Sequence, residues 1–348
     1  MQLFQRHSTL AHAAYHDLLA HLKDYSVSEL RGSPVRKTRG KSTFWYDSYR
    51  VGDTVKTNYI GPDTEEIRER LARFRSLQGN ANRQMSERRR LIRLLRAENY
   101  VGADAGTGAL FSALAAAGTF RLGGTVVGTD AFRLYEGELG VRLKVDQAAT
   151  TNDIDIAAFE RLSLAIEDRT SPALNDVLKD LSFTPVPGLE PSQVWKWRQS
   201  AGDSLIEFLT PSFSDDEGVR ELPSLGVFAQ SLHHLNYLIA DPIEAAVVYR
   251  SGVLVTIPRP ERFAIHKLIV ADRRLSGPDA LKSHKDLMQA EFLIRVLAED
   301  RPDDLSEAYH MAMDFGPKWQ QRIEASLKRA PLIAGILKDL SSRERSAE

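Results

Sequence analysis

Asp153-Ile154-Asp155-Ile156 alternates acid with aliphatic, and this alternation constrains the fold of the chain more than any other segment. Period two in a strand sends Asp153 and Asp155 to one face and the two isoleucines to the other. Two carboxylates on one face beside a core repel each other unless something neutralises them. A hard divalent cation such as Mg²⁺, held through oxygen, is the usual neutraliser. Upstream, Thr125-Val126-Val127 is apolar and β-branched, which reads as a short buried strand. It runs straight into Gly128-Thr129. A helix-like segment follows, with Ala131, Phe132, Leu134 and Tyr135 available for its buried face.

The chain has 348 residues, enough for two or three domains and a sizeable core. Its net charge of −1 does not point to nucleic acid, so any basic patch must be local. The absence of cysteine excludes a disulfide framework, a zinc–thiolate site and a cysteine nucleophile. The N-terminus is polar throughout, so no secretory leader is expected. No apolar run approaches the roughly 20 residues a membrane helix needs. The expectation is a soluble cytoplasmic protein.

Thr9–Asp24 reads as a helix, with Leu10, Ala14, Leu18 and Leu22 at helical spacing. His12 and His16 sit four apart but have no obvious third ligand, which makes them surface histidines. Gly32–Pro62 reads as three short strands with turns at Arg39-Gly40 and Val51-Gly52-Asp53. Seven Lys/Arg stand against two Asp/Glu between Arg31 and Ile60, interleaved with Phe44, Trp45, Tyr46, Tyr49 and Tyr59. Basic charge plus aromatic faces suits single-stranded nucleic acid. The competing reading makes these aromatics the core of a small meander, which a three-stranded sheet this small needs for packing.

Asp63–Asn99 is polar and helical, with a break near Gly79-Asn80. Its Arg88, Arg89, Arg90, Arg93 and Arg96 form either a solvated face or a phosphate-backbone track. Gly106-Thr107-Gly108 lacks the third glycine of a dinucleotide fingerprint, since Phe111 stands there. Gly108–Ala117 reads as an Ala-rich helix. Further on, Ala157–Leu181 reads as helical and Phe183–Trp197 as irregular, then hairpin-like. Asp203–Pro211 reads as a strand with Leu205, Glu207 and Leu209 on one face. An isolated Glu207 there is costly to bury without a cation or an arginine. Leu225–Ala240 reads as a helix, and Ala245–Arg250 with Val253–Pro258 as a hairpin. Glu261–Arg274, Ala280–Leu297 and the remainder read as helices, ending in a frayed tail at Ser341–Glu348.

A small-residue turn, paired acids and a third acid on a later strand are what phosphoryl and nucleotidyl transfer requires. The order Gly128-Thr129, Asp153-x-Asp155, Glu207 resembles the nucleotidyltransferase superfamily with the DNA-polymerase-β-like fold. GGTVVGTDAF, TTNDIDIA, IEFLTP, VTIPRPERFAIHKLIVADRR and KSHKDLMQAEFLI, with the N-terminal GSPVRK, FWY and NYIGP pieces, resemble a bacterial group of that fold, of largely unknown function. That group is related to the toxin nucleotidyltransferases of abortive infection. The resemblance implies an α/β (α+β) fold: a small mixed sheet, an N-terminal β-meander and a C-terminal helical domain. The corresponding divisions are 1–100, 101–260 and 261–348.

The resemblance further implies transfer of an NMP from NTP to an acceptor hydroxyl. Asp153, Asp155 and Glu207 would be both catalytic and metal-holding, with Mg²⁺ or Mn²⁺ as cofactor. Gly128 and Thr129 are the favoured phosphate turn; Gly123-Gly124-Thr125 is the alternative. Lys267 and Lys285 would touch triphosphate, and Asp286 would steer Lys285 or the acceptor. RNA, including tRNA, would be held by Lys37, Arg39, Lys41, Trp45, Tyr46 and Arg50, and an antitoxin partner is conceivable. The competing class is a non-catalytic nucleotide- or RNA-binding module of the same fold. Two departures stand out: a long gap between Thr129 and Asp153, and Glu in place of the commoner Asp at position 207.

Overall fold

Helical periodicity, β-branched runs and turn residues set the element order. The computed structural model describes residues 4–28, 33–39, 42–51, 54–77, 81–143, 153–165, 168–188, 190–200, 202–213, 216–275 and 280–344. Lys41, Gly79-Asn80, the centres of both expected meander turns and the last four residues lie outside them, as do the side chains of Arg39, Arg50 and Lys56. The chain starts with β1 (Gln5–Arg6) and α1 (Thr9–Ser28), then the meander β2 (Ser33–Arg39), β3 (Ser42–Val51) and β4 (Thr54–Pro62). Next come α2 (Glu65–Leu77), α3 (Ala81–Ala97), α4 (Ala105–Ala117), β5 (Thr125–Val127), α5 (Gly128–Leu139), β6 (Val141–Arg142) and β7 (Asp153–Ala157). Then follow α6 (Glu160–Ala165), α7 (Leu174–Asp180), β8 (Phe183–Pro185), β9 (Lys196–Gln199), β10 (Leu205–Pro211), β11 (Val219–Leu222) and β12 (Val227–Leu232). The chain closes with α8 (Leu235–Leu238), the hairpin β13 (Ile243–Val247) and β14 (Val253–Ile257), and helices α9 (Pro260–Leu275), α10 (Ala280–Asp300), α11 (Pro302–Asp314), α12 (Pro317–Arg329) and α13 (Pro331–Glu344). The class is α+β.

The mixed sheet runs β11-β12-β10-β7-β5, with β9 also on β10 and β8 on β9. β7 and β10 are parallel, and β5 is antiparallel to β7. β9 and β12 share the other edge of β10, against Leu205–Glu207 and Leu209–Pro211 respectively. One face of this sheet is dry: Val126, Ile154, Ile156, Ile206, Phe208 and Trp197 are all buried. Trp197 meets Phe208 edge-on at 5.3 Å. The main core continues into α5, α9 and α10, where Phe263 contacts Phe132 at 6.3 Å and Tyr135 at 5.2 Å. Each such side chain contributes about 1.5–3 kcal/mol through burial.

A second core joins α1 and α3 to the central hairpin. Leu91, Ile92 and Leu95 pack on Tyr15, Leu18 and Leu22, with Ala246 and Val248 beneath. Asp104 caps α4 by accepting from Gly106 N and Thr107 N, both at 2.9 Å. The Gly106-Thr107-Gly108 segment is therefore the first turn of a capped helix. Among the described residues no helix is long and apolar enough to cross a membrane.

Three expectations change. Residues 225–240 form strand β12 and the short α8 rather than one helix. Val227, Ala229 and Ser231 are buried and alternate with half-buried neighbours; this period-two pattern pairs with β10 and β11. Residues 157–181 hold two short helices, α6 and α7. Pro172 interrupts them, because it lacks an N–H and keeps its predecessor out of the helical region. Tyr46, expected on a nucleic-acid surface, is 1% exposed and packs edge-on against Tyr59 at 5.6 Å. It is core and offers no face to a base. Trp45 is half-buried, its Nε1–H donating to Asp63 Oδ1 at 2.8 Å.

Candidate active site

The face of the sheet opposite the aliphatic layer carries the acids. Register places Asp155 beside Glu207 across parallel strands, and Glu207 beside Lys196 on β9. Paired residues share a face, so Val127, Asp155, Glu207 and Lys196 form one row across four strands. Asp153 lies on the same face two residues earlier, roughly 8 Å diagonally from Glu207 by strand spacing and rise. Asp153, Asp155 and Glu207 are all half-buried.

Val127 leads into Gly128, whose φ is +68°. A Cβ on Gly128 would stand 2.5 Å from Asp155 Oδ2. Only glycine takes this left-handed conformation readily and leaves that space open. Gly128 also begins α5, and no side chain caps this helix N-terminus. Its first-turn N–H groups consequently remain donors for an anion. Thr129 and Asp130 continue the turn and are buried. Gly124 lies elsewhere: its N–H donates to Thr119 O at 2.9 Å, and a Cβ on it would meet the same oxygen. Thr125 pairs with Ala157, at the end of β7 away from the acids. Of the two candidate turns, Gly128-Thr129 is the one that touches an acid.

Asp155 is pushed up to about 7 by burial, with Glu207 and Asp153 adding repulsion and Lys267 opposing it. Asp130 is pushed up to about 6, chiefly by burial. The acidic face thus carries more negative charge than its surroundings neutralise. Glu207 has found a partial solution: Lys196 Nζ lies 2.5 Å from its Oε1. A cation or an arginine was expected there; the partner is a lysine.

On the helical side, Lys267 of α9 is buried, with its Nζ 2.5 Å from Asp286 Oδ1. Arg274 Nη1 reaches Asp286 Oδ2 at 2.6 Å. Asp286 therefore accepts hydrogen bonds from Lys267 and Arg274, and its charge also favours the Lys285 ammonium. Lys285 is half-buried, and its ammonium is pushed down by burial first and by Lys267 second. Sequence reasoning missed Lys196, Arg274 and Asp130 as neighbours of this site. For Asp130 a signal existed, its position directly after Gly128-Thr129.

A family model described as Nucleotidyltransferase matches residues 105–314, more than half of the chain. The chain belongs to this nucleotidyltransferase family. A second family, described as a domain of unknown function (DUF6788), matches residues 13–69. No curated protein and no solved structure matches the chain. The nucleotidyltransferase match spans β5, α5, β7, β9, β10, α9 and α10, the elements that carry the acids and lysines of this site.

The donors of the acidic face fit a hard divalent cation. They are carboxylate oxygens with a charge surplus, and Gly128 leaves space at Asp155 Oδ2. Among the described residues no three His, Asp or Glu side chains converge on a ready-made metal position. Glu207 turned toward Lys196 is one reason.

Proposed function

We propose that this nucleotidyltransferase moves a nucleoside monophosphate from an NTP to an acceptor hydroxyl, with Mg²⁺ or Mn²⁺ held by Asp153, Asp155 and Glu207. The observation supporting this reading is the in-register pair Asp155–Glu207 with the Gly128 turn against Asp155. When bound, the cation would supply neutralisation of the carboxylates and polarisation of the phosphoryl oxygens.

The first-turn N–H groups of α5 orient the phosphates, as helix N-termini do for anions. Lys285 contributes charge: an arriving triphosphate offsets the repulsion from Lys267 that disfavours its ammonium. Asp286 holds Lys267 and, through it, the positive side of the site. The acceptor oxygen bonds to the α-phosphorus as the bond to the α–β bridging oxygen breaks. Pyrophosphate leaves with that electron pair and the hydroxyl proton passes to water. Little covalent chemistry falls to the protein in such a transfer, whose main needs are position and charge.

For the acceptor we propose RNA, held on α3 and on the meander. Arg89, Arg93 and Arg96 are exposed, at i, i+4 and i+7. They line one face over about 10 Å of helix. None of the three makes an ion pair among the described residues. From the sequence, Lys37, Arg39, Lys41, Trp45 and Arg50 of the meander are assigned the same role, while Tyr46 is core.

The test is incubation with each α-labelled NTP, Mg²⁺ and total bacterial RNA. Label should enter RNA, EDTA should prevent it, and replacing Arg89, Arg93 and Arg96 by Ala should slow it and flatten its salt dependence. Label that enters another acceptor instead would remove RNA from the proposal and keep the transfer.

A further inference from the structure

We propose that Lys196 competes with the divalent cation for Glu207, so that the acidic face takes up the metal together with a nucleotide rather than the free ion. This rests on the nucleotidyl-transfer reading and adds regulation to its metal site. Lys196 acts through Glu207, which makes it a positioning residue.

The contact is close and partly sheltered. Lys196 Nζ lies 2.5 Å from Glu207 Oε1, with the two side chains 27% and 22% exposed. Water and salt therefore screen the pair only in part. Among the described residues, Glu207 is the one acid of the three that makes an ion pair. Register sets its direction. Asp155 on β7 and Lys196 on β9 flank Glu207 from opposite sides. Lys196 thus engages the carboxylate from the strand opposite the two aspartates.

A fixed backbone carries this movable charge. Lys196 O accepts from Val186 N at 2.9 Å, and Trp195 O accepts from Phe208 N at 2.8 Å. The next residue, Trp197, is 2% exposed and packs on Phe208 in the dry layer. Four methylenes let the ammonium move about an anchored Cα. It also has a second resting place, since the Trp195 ring centroid lies 5.6 Å from Nζ, within cation–π reach. Leaving Glu207 does not strand the charge. A lysine suits such an exchange better than an arginine, whose bidentate fork holds a carboxylate more firmly.

The consequence for the cation follows from its ligand needs. Mg²⁺ demands a full octahedron of oxygens and binds through one or two carboxylates plus substrate phosphates. Arriving alone, it meets two aspartates, a glutamate already engaged and an ammonium that repels it. Arriving on a triphosphate, it brings phosphate oxygens that offset the exchange at Glu207. Lys196 therefore weakens binding of the free ion more than binding of the metal–nucleotide complex.

The test is Mn²⁺ binding by the full chain, followed by electron paramagnetic resonance with and without a non-hydrolysable NTP. The proteins are wild type, Lys196→Met, Lys196→Gln, Lys196→Arg, Glu207→Gln and the double variant Lys196→Met with Glu207→Gln. Without nucleotide, Lys196→Met and Lys196→Gln should each bind Mn²⁺ about fivefold more tightly than wild type, the size of a modest coupling between sites. Lys196→Arg should bind it no more tightly than wild type. With nucleotide the two neutral variants should gain less, so the tightening that nucleotide brings shrinks. In the Glu207→Gln background, Lys196→Met should move Mn²⁺ affinity by less than about twofold, because the carboxylate it frees is gone. Free-ion affinity within about twofold of wild type in both neutral variants would overturn the inference while the transfer reading stands. Equal tightening with and without Glu207 would assign the effect to the general field of a lost charge and overturn it as well. If wild type binds no Mn²⁺ even with nucleotide, the metal site of the transfer reading fails and the inference fails with it.

Discussion

Asp155→Asn should cut nucleotidyl transfer by about 10³-fold or more while leaving the fold intact or more stable. The activity loss follows from its position. Asp155 stands in register with Glu207, its Oδ2 against the space that Gly128 leaves open. The stability gain follows from its surroundings. Burial, Glu207 and Asp153 all disfavour its charged form, raising it from an ordinary 3.8 to about 7.

A carboxyl raised in the folded state stabilises the fold fully below its unfolded value, and that contribution is lost as pH rises through the folded value. Wild-type stability should therefore decline between about pH 4 and pH 7, while Asp155→Asn stays flatter across that window. Urea midpoints measured at half-unit pH steps for both proteins check this. A variant that unfolds more easily than wild type at pH 8 would mean that Asp155 is a structural anchor. The same ionisation predicts that divalent-metal affinity climbs through about pH 7, where the carboxylate becomes available.

Asp286→Ala should be the most destabilising single change near the site, at about 3–5 kcal/mol. Asp286 is 2% exposed and pairs with Lys267 at 2.5 Å and Arg274 at 2.6 Å. Removing it leaves the buried Lys267 ammonium without its counter-charge, with the Phe263 ring at 5.1 Å as a remaining favourable contact. The loss arises mainly from the stranded charge rather than from the pair itself. A double change, Lys267→Met with Asp286→Leu, should accordingly recover much of the stability and none of the activity. Chemical denaturation of the single and double variants separates these terms. A loss under about 1 kcal/mol for Asp286→Ala would show that water reaches Lys267 freely.

The acidic strand and the glycine turn that starts α5 were legible because their signals are local. Alternation alone puts Asp153 and Asp155 on one face, and a β-branched triplet ending at a glycine marks β5 and the start of α5. Glu207 was legible for the same reason, as an acid alternating with Leu205 and Leu209. Its partner was not. Lys196 meets Glu207 only because β9 pairs with β10 in one register, and pairing register is a tertiary choice. The Asp286 network hid likewise. It joins two helices whose contact no local period encodes, so Asp286 looked like a companion of its neighbour Lys285. Residues 225–240 misled because Leu225, Val227, Leu232, Leu235 and Leu238 fit helical and strand patterns alike over short spans. Tyr46 was open to two readings. Its basic neighbours allowed a nucleic-acid surface, while the small sheet's need for aromatics inside argued for core, and Tyr46 is core.

The most direct test of the central claim is a Mn²⁺ titration followed by electron paramagnetic resonance, with and without a non-hydrolysable NTP, on wild type, Asp153→Asn and Asp155→Asn. Binding should be weak to wild type alone and at least about tenfold tighter with nucleotide present, and both variants should lose that tightening, since such cations share their ligands between carboxylates and phosphates. Equal Mn²⁺ affinity in wild type and both neutral variants, with nucleotide bound, would contradict it.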